Sequence, residues 1–225
     1  MSELIFRDRA HAGQLLGRAL AGYAMRQDVT VLALPRGGVP VAYQVATILQ
    51  APLDVLVVRK LGVPGWPELA MGAIASGGVR VINDEIVQAL NISPERIEQA
   101  ALREGQELRR RELAYRGHTG APQVQGKIII LVDDGIATGA TIRAAALALR
   151  HLRPARLVIA VPTAAAEACA MLGPLVDELV VLVKPLDFRA VAQWYLDFSQ
   201  TADAEVTDLL ARANSPAAPR PPVQD

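Results

Sequence analysis

Apolar residues along this chain form short, nearly unbroken runs, separated by segments in which they recur at helical spacing. The runs predict strands buried on both faces, as in a parallel sheet, and they occupy residues 29–34, 54–58, 128–132, 157–161 and 178–183. The segments between them predict helices at about 8–26, with Asp8 as the N-cap, and at about 39–49, 141–152 and 164–172. This alternation predicts an α/β fold with a mostly parallel, doubly wound sheet covered by helices on both faces.

Three further segments depart from the alternation. Residues 61–83 are rich in glycine and proline between short apolar pieces, which predicts a β-hairpin. Ser93-Pro94-Glu95 begins a strongly charged helix that reaches about Tyr115, since proline is typical of the first helical position. Because this helix has few apolar residues, we expect 84–117 to be a mobile helical insertion. Residues 214–225 are rich in proline and alanine and predict a disordered tail after a domain of residues 1–213.

The overall composition restricts the classes of function. Hydrophobic residues make up 52% of the 225 positions, enough for a core without metals or disulfides. The single cysteine, Cys169, excludes a disulfide framework and multi-cysteine zinc sites. Zero formal net charge argues against nucleic acid as a partner, and no apolar run approaches the ~20 residues of a membrane span. We therefore expect a cytoplasmic protein with neither a nucleic-acid nor a membrane partner.

Polar and glycine residues follow three of the predicted strands. The first strand leads into Pro35-Arg36-Gly37-Gly38, the second into Arg59-Lys60, and the third into Asp133-Asp134 and a loop of small residues. Ligands of open α/β sheets bind in the crevice beyond the carboxyl ends of the strands. The sequence therefore predicts that these three segments form one site.

The segment after the third strand indicates a sugar phosphate. Backbone N–H groups of the loop 135–141 stand at the start of a helix and suit an anion, and the hydroxyls of Thr138 and Thr141 add donors. Asp133 and Asp134 match phosphate poorly, but they are good acceptors for sugar hydroxyls. A dinucleotide fits less well, because two carboxylates would repel its pyrophosphate and the Gly-x-Gly-x-x-Gly spacing is missing.

Residues 128–141 resemble the binding motif for 5-phosphoribosyl 1-pyrophosphate (PRPP) of the type I phosphoribosyltransferases: an apolar strand, two acids, three spacers and then Thr-Gly-x-Thr. The resemblance extends over about 29–198, and the first loop is similar to that of a group of predicted phosphoribosyltransferases with a Pro-Arg-Gly-Gly loop. It implies that Asp133 and Asp134 hold the ribose hydroxyls. The 5-phosphate would be bound by Ala137, Thr138, Gly139, Ala140 and Thr141.

The same resemblance assigns the pyrophosphate to the other two strand ends. It implies pyrophosphate binding by Arg36, Gly37, Gly38, Arg59 and Lys60, and a catalytic group of Asp133, Asp134, Arg36 and Lys60. The family often has a cis peptide in the first loop, which we expect here between Arg36 and Gly37. We also expect Gly37 to have a backbone conformation that other residues avoid. Mg²⁺ would be held by substrate oxygens and water, with no direct protein ligand.

The resemblance implies a pentosyltransferase that moves the phosphoribosyl group of PRPP to a nitrogenous acceptor, a nucleobase, and releases pyrophosphate. In the family the segment after the last strand, here 184–213, forms a hood and helix, and an aromatic ring there stacks on the base. Phe188 matches this position best, with Trp194 as the alternative, and packing against the core is the competing interpretation. Residues 157–161 lead into Pro162-Thr163 where purine-salvage relatives have lysine, which argues against a 6-oxopurine. A regulator that senses PRPP or a nucleotide, and a homodimer, stay open.

Overall fold

The computed structural model describes residues 4–117 and 120–215. The strands in these residues are β1 (Val29–Ala33), β2 (Leu53–Val55), β3 (Val58–Val63), β4 (Trp66–Ala75), β5 (Val79–Ile82), β6 (Ile128–Val132), β7 (Arg156–Thr163) and β8 (Glu178–Val183). The α-helices are α1 (Arg9–Ala19), α2 (Gly38–Leu49), α3 (Asp84–Ala89), α4 (Pro94–Arg116), α5 (Ala140–His151), α6 (Ala166–Leu172) and α7 (Asp203–Asn214). Short 3-10 helices lie at Ala21–Tyr23, Gly173–Leu175 and Val191–Trp194.

The main sheet contains five parallel strands in the order β2-β1-β6-β7-β8. Its central strand, β6, is buried along its whole length. Alternate residues of β1 enter two apolar clusters, Val31 on the face covered by α1, α2 and α7 and Leu32 on the face covered by α5 and α6. The α/β fold with a doubly wound parallel sheet, predicted from the unbroken apolar runs, is therefore confirmed.

The glycine-rich segment forms a second sheet, which is antiparallel and has the order β3-β4-β5. The predicted hairpin is thus present and is extended by a third strand. Ser76, which follows β4, fixes the entry into this sheet. Its backbone N–H donates to the Val57 carbonyl oxygen at 2.9 Å, and its hydroxyl accepts from the Val57 N–H at 3.0 Å.

This bend at Val57 corrects the predicted position of Arg59 and Lys60. The apolar run 54–58 is divided between two sheets, because β2 ends at Val55 and β3 begins at Val58. Arg59 and Lys60 consequently lie inside β3, paired with β4, and do not end a strand of the parallel sheet. A continuous apolar run carries no signal for such a division, because residues 55–58 are apolar on both sides of it.

The helices begin close to the positions that the sequence predicts. The Asp8 carboxylate accepts the His11 N–H at 2.7 Å and caps α1, which ends at Ala19 and is followed by a separate 3-10 turn. Helix α4 begins at Pro94 with Ser93 as its N-cap residue. No helix in the described residues is both long and apolar enough to cross a bilayer.

Helix α4 lies across β3 and β4 and reaches α7. Its buried positions include Ile97, Ala100 and Leu108, and its last residue, Arg116, donates two bonds of 2.7 Å to the Asp54 carboxylate. The mobility of 84–117 stays a prediction, which hydrogen exchange with and without PRPP and Mg²⁺ tests. Of the tail predicted at 214–225, Asn214 ends α7 and residues 216–225 lie outside the described residues.

Candidate functional site

The acid pair stands at the carboxyl end of β6, in the centre of the parallel sheet. Asp133 and Asp134 are both partly buried, and the Asp134 N–H donates to Asp133 Oδ1 at 2.9 Å. Burial raises the pKa of Asp133, and the negative charge of Asp134 raises it further. Burial also raises the pKa of Asp134, although Arg9 opposes this shift. The charges acting on the two carboxylates therefore differ, and both carboxylates lie where ligands of open α/β sheets bind.

Arg9, at the start of α1, is the partner of Asp134, and local sequence patterns did not indicate it. Its Nε donates to Asp134 Oδ2 at 2.8 Å, across 125 residues of chain. The Tyr195 hydroxyl donates to the Asp134 carbonyl oxygen at 2.6 Å, and the Arg9 guanidinium lies 3.9 Å from the centroid of the Phe198 ring. The concentration of aromatics after β8 was the available signal, but it did not show which rings face the site.

The first loop lies directly against the acid pair. A Cβ on Gly37 would overlap Asp134 Oδ2, and a Cβ on Gly38 would come 3.0 Å from the Asp133 Cα. Gly37 has ordinary helical dihedrals, φ −60° and ψ −30°, so the unusual conformation expected there is wrong and close approach is its constraint. The cis peptide bond joins Pro35 and Arg36, one residue before the expected position.

The small-residue loop after the acid pair is anchored to β7 and α6. The Ile136 N–H donates to the Thr163 carbonyl oxygen and the Ile136 carbonyl oxygen accepts from Ala165, both at 2.9 Å. Gly139 has φ 75°, and a Cβ there would come 2.7 Å from the Met171 Cε. Helix α5 starts at the next residue, Ala140, so its first N–H groups follow the loop directly.

The five residues predicted to bind a phosphate therefore lie around one helix start. Ala137, Thr138 and Thr141 are exposed, Ala140 is half-buried, and Gly139 is buried beneath them. Exposed backbone and hydroxyl groups at a helix N-terminus suit an anion, because the helix dipole favours negative charge there.

Arg36 extends from the first loop toward α7. Its Nη1 lies 3.7 Å from the Asp203 Oδ1, and 39% of its side chain is exposed. Tyr115 of α4 donates to the same Asp203 oxygen at 2.7 Å. Burial, together with this bond to a carboxylate, raises the pKa of Tyr115 to about 12. Arg36 is thus held by one long, half-exposed ion pair, which an incoming anion can displace.

A cleft of about 740 Å³ opens between the first loop, β3, α4 and the start of α5. Four cationic side chains, one acid and one of the loop hydroxyls line it: Arg59, Lys60, Arg103, Arg111, Glu104 and Thr141. Arg59 donates to Glu104 Oε2 through Nε at 2.9 Å and Nη2 at 2.7 Å. Although they lie inside β3, Arg59 and Lys60 therefore line the same cleft as Thr141, whereas Thr138 and Ala140 line a separate cavity beside β4 and α3.

The two aromatic candidates for base contact are placed differently. Trp194 is 4% exposed and packs in an apolar cluster with Phe6, Ala12 and Tyr195. This burial favours the packing interpretation for Trp194. Phe188 is half-buried and touches the edges of two apolar clusters.

Comparison with known proteins places these features in a family context. Residues 9–172 match the family described as phosphoribosyl transferase domain. Two curated proteins of Mycobacterium tuberculosis, from strains CDC 1551 and H37Rv, carry provisional names as phosphoribosyl transferases. Each is 44% identical over 229 residues, which covers 98% of this chain and 52% of the relative. The chain therefore spans about half the length of these curated relatives.

A solved structure also matches nearly the whole chain. The crystal structure of TT1426 from Thermus thermophilus is 42% identical and has a TM-score of 0.85. The match covers 92% of this chain and 98% of that chain. TT1426 and the present chain consequently share one fold over most of their length.

Proposed function

Because this chain belongs to the phosphoribosyltransferase family, we propose that it transfers the 5-phosphoribosyl group of PRPP to a nitrogenous acceptor and releases pyrophosphate. One observation carries the proposal: the carboxyl edge of the sheet brings together a helix-start anion loop, a carboxylate pair and a cationic cleft. A sugar that carries a phosphate at one end and a pyrophosphate at the other matches these three parts in one pose.

Each part has a role that its chemistry supplies. The loop 137–141 binds the 5-phosphate through backbone N–H groups and threonine hydroxyls. The acid pair accepts the ribose hydroxyls, because ionised carboxylates are strong acceptors. Arg36, Arg59 and Lys60 bind the pyrophosphate, with Gly37 and Gly38 letting the first loop approach it. These fixed charges stabilise the negative charge that grows on the leaving group.

The chemical step is a displacement at C1 of the ribose. The acceptor nitrogen forms the new C1–N bond while the C1–O bond to pyrophosphate breaks, and the pyrophosphate leaves with the electron pair of that bond. The nitrogen then loses its proton to solvent. Positive charge on the ring in the transition state is favoured by the negative charge at Asp133 and Asp134, which makes these acids catalytic as well as binding groups.

Magnesium is the cofactor that we propose for this step. When bound, Mg²⁺ neutralises charge on the pyrophosphate oxygens and acts as a Lewis acid. The carboxylate in the cleft, Glu104, already accepts two bonds from Arg59, and the other charged groups that line the cleft are cationic. Such a lining repels a free divalent cation, so Mg²⁺ would be held there by substrate oxygens and water, as it usually is.

For the acceptor we propose a nucleobase that contacts Phe188. Stacking on an aromatic ring contributes roughly 1–3 kcal/mol, so Phe188→Ala should raise the KM for the acceptor about tenfold. The KM for PRPP should stay within about twofold of the wild type. Leu186→Ala is the matched control, because Leu186 is fully exposed two residues away. Equal losses for both substrates would mean that Phe188 only supports the segment after β8.

Pyrophosphate release from PRPP, measured with Mg²⁺ and a panel of nucleobases, tests the proposed function. Release should depend on one class of base and should fall at least ~100-fold in Asp133→Asn/Asp134→Asn, since amides replace both charged acceptors. Calorimetry on the same folded variant should show weaker PRPP binding. PRPP binding with no turnover on any base would indicate the sensing regulator. Unchanged PRPP affinity in the double variant would refute the proposed site.

A further inference from the structure

A second cavity, of about 680 Å³, lies where helix α5 packs on the antiparallel sheet. Residues of β4 and β5 line one side of it, residues of α5 line another, and Met171 of α6 lines it as well. Thr138 of the loop 137–141 borders this cavity, whereas Thr141 borders the cationic cleft. The two spaces are therefore separate, and the proposed reaction assigns no ligand to the second one.

The walls of this cavity are mainly apolar, and many of their side chains are small. Ala70 and Ala73 lie on the sheet side, and Ala144 lies on the helix side, beside larger residues such as Ile82 and Leu147. Protein interiors are close-packed, so small side chains on both sides leave space that a ligand can fill. The volume is within the ~300–1,000 Å³ of small-molecule pockets, which are mostly apolar with a few polar groups.

Charged side chains of both signs line the same cavity. Arg143 comes from α5 and is half-buried, and Asp84 and Glu85 come from the first turn of α3 and are exposed. No described side chain forms an ion pair with any of these three, whereas Arg150 Nη1 of α5 lies 3.0 Å from Asp177 Oδ2. A ligand that carries one charge of each sign would therefore be complementary to the two sides of the cavity.

Two neutral side chains add hydrogen-bond donors. Asn83 Oδ1 accepts the Ile86 N–H at 3.3 Å, and the Asn83 amide nitrogen donates to no described residue. Thr138 Oγ1 accepts the Ala140 N–H at 3.5 Å, and its own proton also has no acceptor among the described residues. With the Arg143 guanidinium, these groups make three donors on one cavity, which favours a carboxylate on the ligand.

We propose that this cavity binds a small zwitterion with an apolar body, an apolar α-amino acid, separately from PRPP. Its carboxylate pairs with Arg143, its ammonium group pairs with Asp84 and Glu85, and its side chain lies between the small residues of β4 and α5. This inference goes beyond the proposed transfer reaction and does not depend on it.

Calorimetry on the full chain at neutral pH, with three probes that share one phenyl group, tests the charges. The probes are L-phenylalanine, hydrocinnamate, which lacks the ammonium group, and phenethylamine, which lacks the carboxylate. L-Phenylalanine should bind at least ~10-fold more tightly than either analogue, because each analogue leaves one charged side of the cavity unmatched. Glycine, which has both charges but no apolar body, should also bind at least ~10-fold more weakly.

Substitutions assign each charge to its side chain. Arg143→Gln should remove the preference for L-phenylalanine over phenethylamine, and Asp84→Asn with Glu85→Gln should remove the preference over hydrocinnamate. Ala144→Leu fills the cavity, so it should weaken L-phenylalanine at least ~10-fold and leave the thermal unfolding midpoint unchanged or higher. Arg150→Gln is the matched control on α5, because Arg150 does not line the cavity, and it should keep wild-type affinity.

Three results would overturn the inference: no binding of L-phenylalanine at millimolar concentration, equal affinity for the three phenyl probes, or unchanged L-phenylalanine affinity in Arg143→Gln. Loss of L-phenylalanine binding at saturating ribose 5-phosphate would also overturn it, since the probe would then occupy the loop 137–141 itself. If Ala144→Leu does not fold, the charge variants decide, because their positions are partly or fully exposed. A protein that binds L-phenylalanine but neither PRPP nor ribose 5-phosphate would uphold this inference and overturn the proposed function.

Discussion

The two ends of the proposed substrate site are built in different ways. At the phosphate end, the loop is fixed by backbone bonds from Ile136 to the end of β7 and by the packing of Gly139 against α6. At the pyrophosphate end, the groups are long cationic side chains held by ion pairs, Arg36 to Asp203 and Arg59 to Glu104. One end is thus fixed by backbone bonds and close packing, and the other by partly exposed ion pairs.

This difference fits the chemistry of the proposed reaction. The 5-phosphate is present in both substrate and product, so a rigid cradle serves it throughout. Pyrophosphate leaves, and a site that binds it too rigidly would retain the product. Ion pairs that are partly exposed contribute about 0–1 kcal/mol each, so a pyrophosphate can exchange with Asp203 or Glu104 at small cost. Substitutions at the two ends should therefore change ligand affinity and stability by different amounts.

The largest effect is expected at the phosphate end, from Gly139→Val. The φ of 75° and the approach of the Met171 Cε are both incompatible with a branched side chain. We expect a loss of about 1–3 kcal/mol in the free energy of unfolding and at least ~100-fold weaker binding of ribose 5-phosphate. Chemical denaturation and calorimetry measure the two quantities.

Gly173→Ala is the control for this change. Gly173 is a nearby glycine with φ −48°, and nothing lies within 4 Å of the place where its Cβ would stand. It should keep wild-type stability and affinity. A Gly139→Val protein with wild-type affinity would show that the loop is not rigid, and the contrast between the two ends would fail.

An intermediate effect is expected where the two ends meet, from Gly37→Ala. The backbone dihedrals of Gly37 permit alanine, so the expected loss arises only from overlap of the new methyl group with Asp134 Oδ2. Activity should fall about 10- to 100-fold, with at most about 1–2 kcal/mol lost in unfolding free energy. Steady-state kinetics and denaturation measure this.

Relief of the overlap gives a second test at the same position. Asp134→Ala removes the oxygen that the methyl group meets, so Gly37→Ala should cost less stability in that background than in the wild type. Gly22→Ala, which has open space around its Cβ position, controls for a general effect of alanine. Additive losses in the double variant would mean that the first loop does not rest on Asp134.

The same contrast explains which features could be predicted from the sequence. The phosphate end lies within one contiguous strand-loop-helix segment, so its residue types and order carried the prediction. The position of Arg59 and Lys60 was mistaken because the division of an apolar run between two sheets depends on Ser76, outside that run. Arg9 was missed because its partner, Asp134, is 125 residues away, and helical spacing does not show which residue of α1 meets it. Trp194 stood as the alternative to Phe188 because aromatic type alone does not show which rings are buried, and in the structure Trp194 is 4% exposed.

The smallest effect is expected at the pyrophosphate end, from Glu104→Gln. Glu104 occupies two donors of Arg59, and both side chains are partly exposed, at 18% and 31%. If this pair competes with the ligand, its removal should tighten the binding of inorganic pyrophosphate with Mg²⁺ about 2- to 5-fold, because exposed pairs contribute roughly 0.2–1 kcal/mol. The gain should shrink at high salt, since screening weakens both interactions. Glu98→Gln is the matched control, because Glu98 lies on the same helix and pairs with Arg80 of the same sheet but does not line the cleft. Weaker pyrophosphate binding in Glu104→Gln alone would mean that Glu104 positions Arg59 for the ligand, and the pyrophosphate end would then be as rigidly organised as the phosphate end.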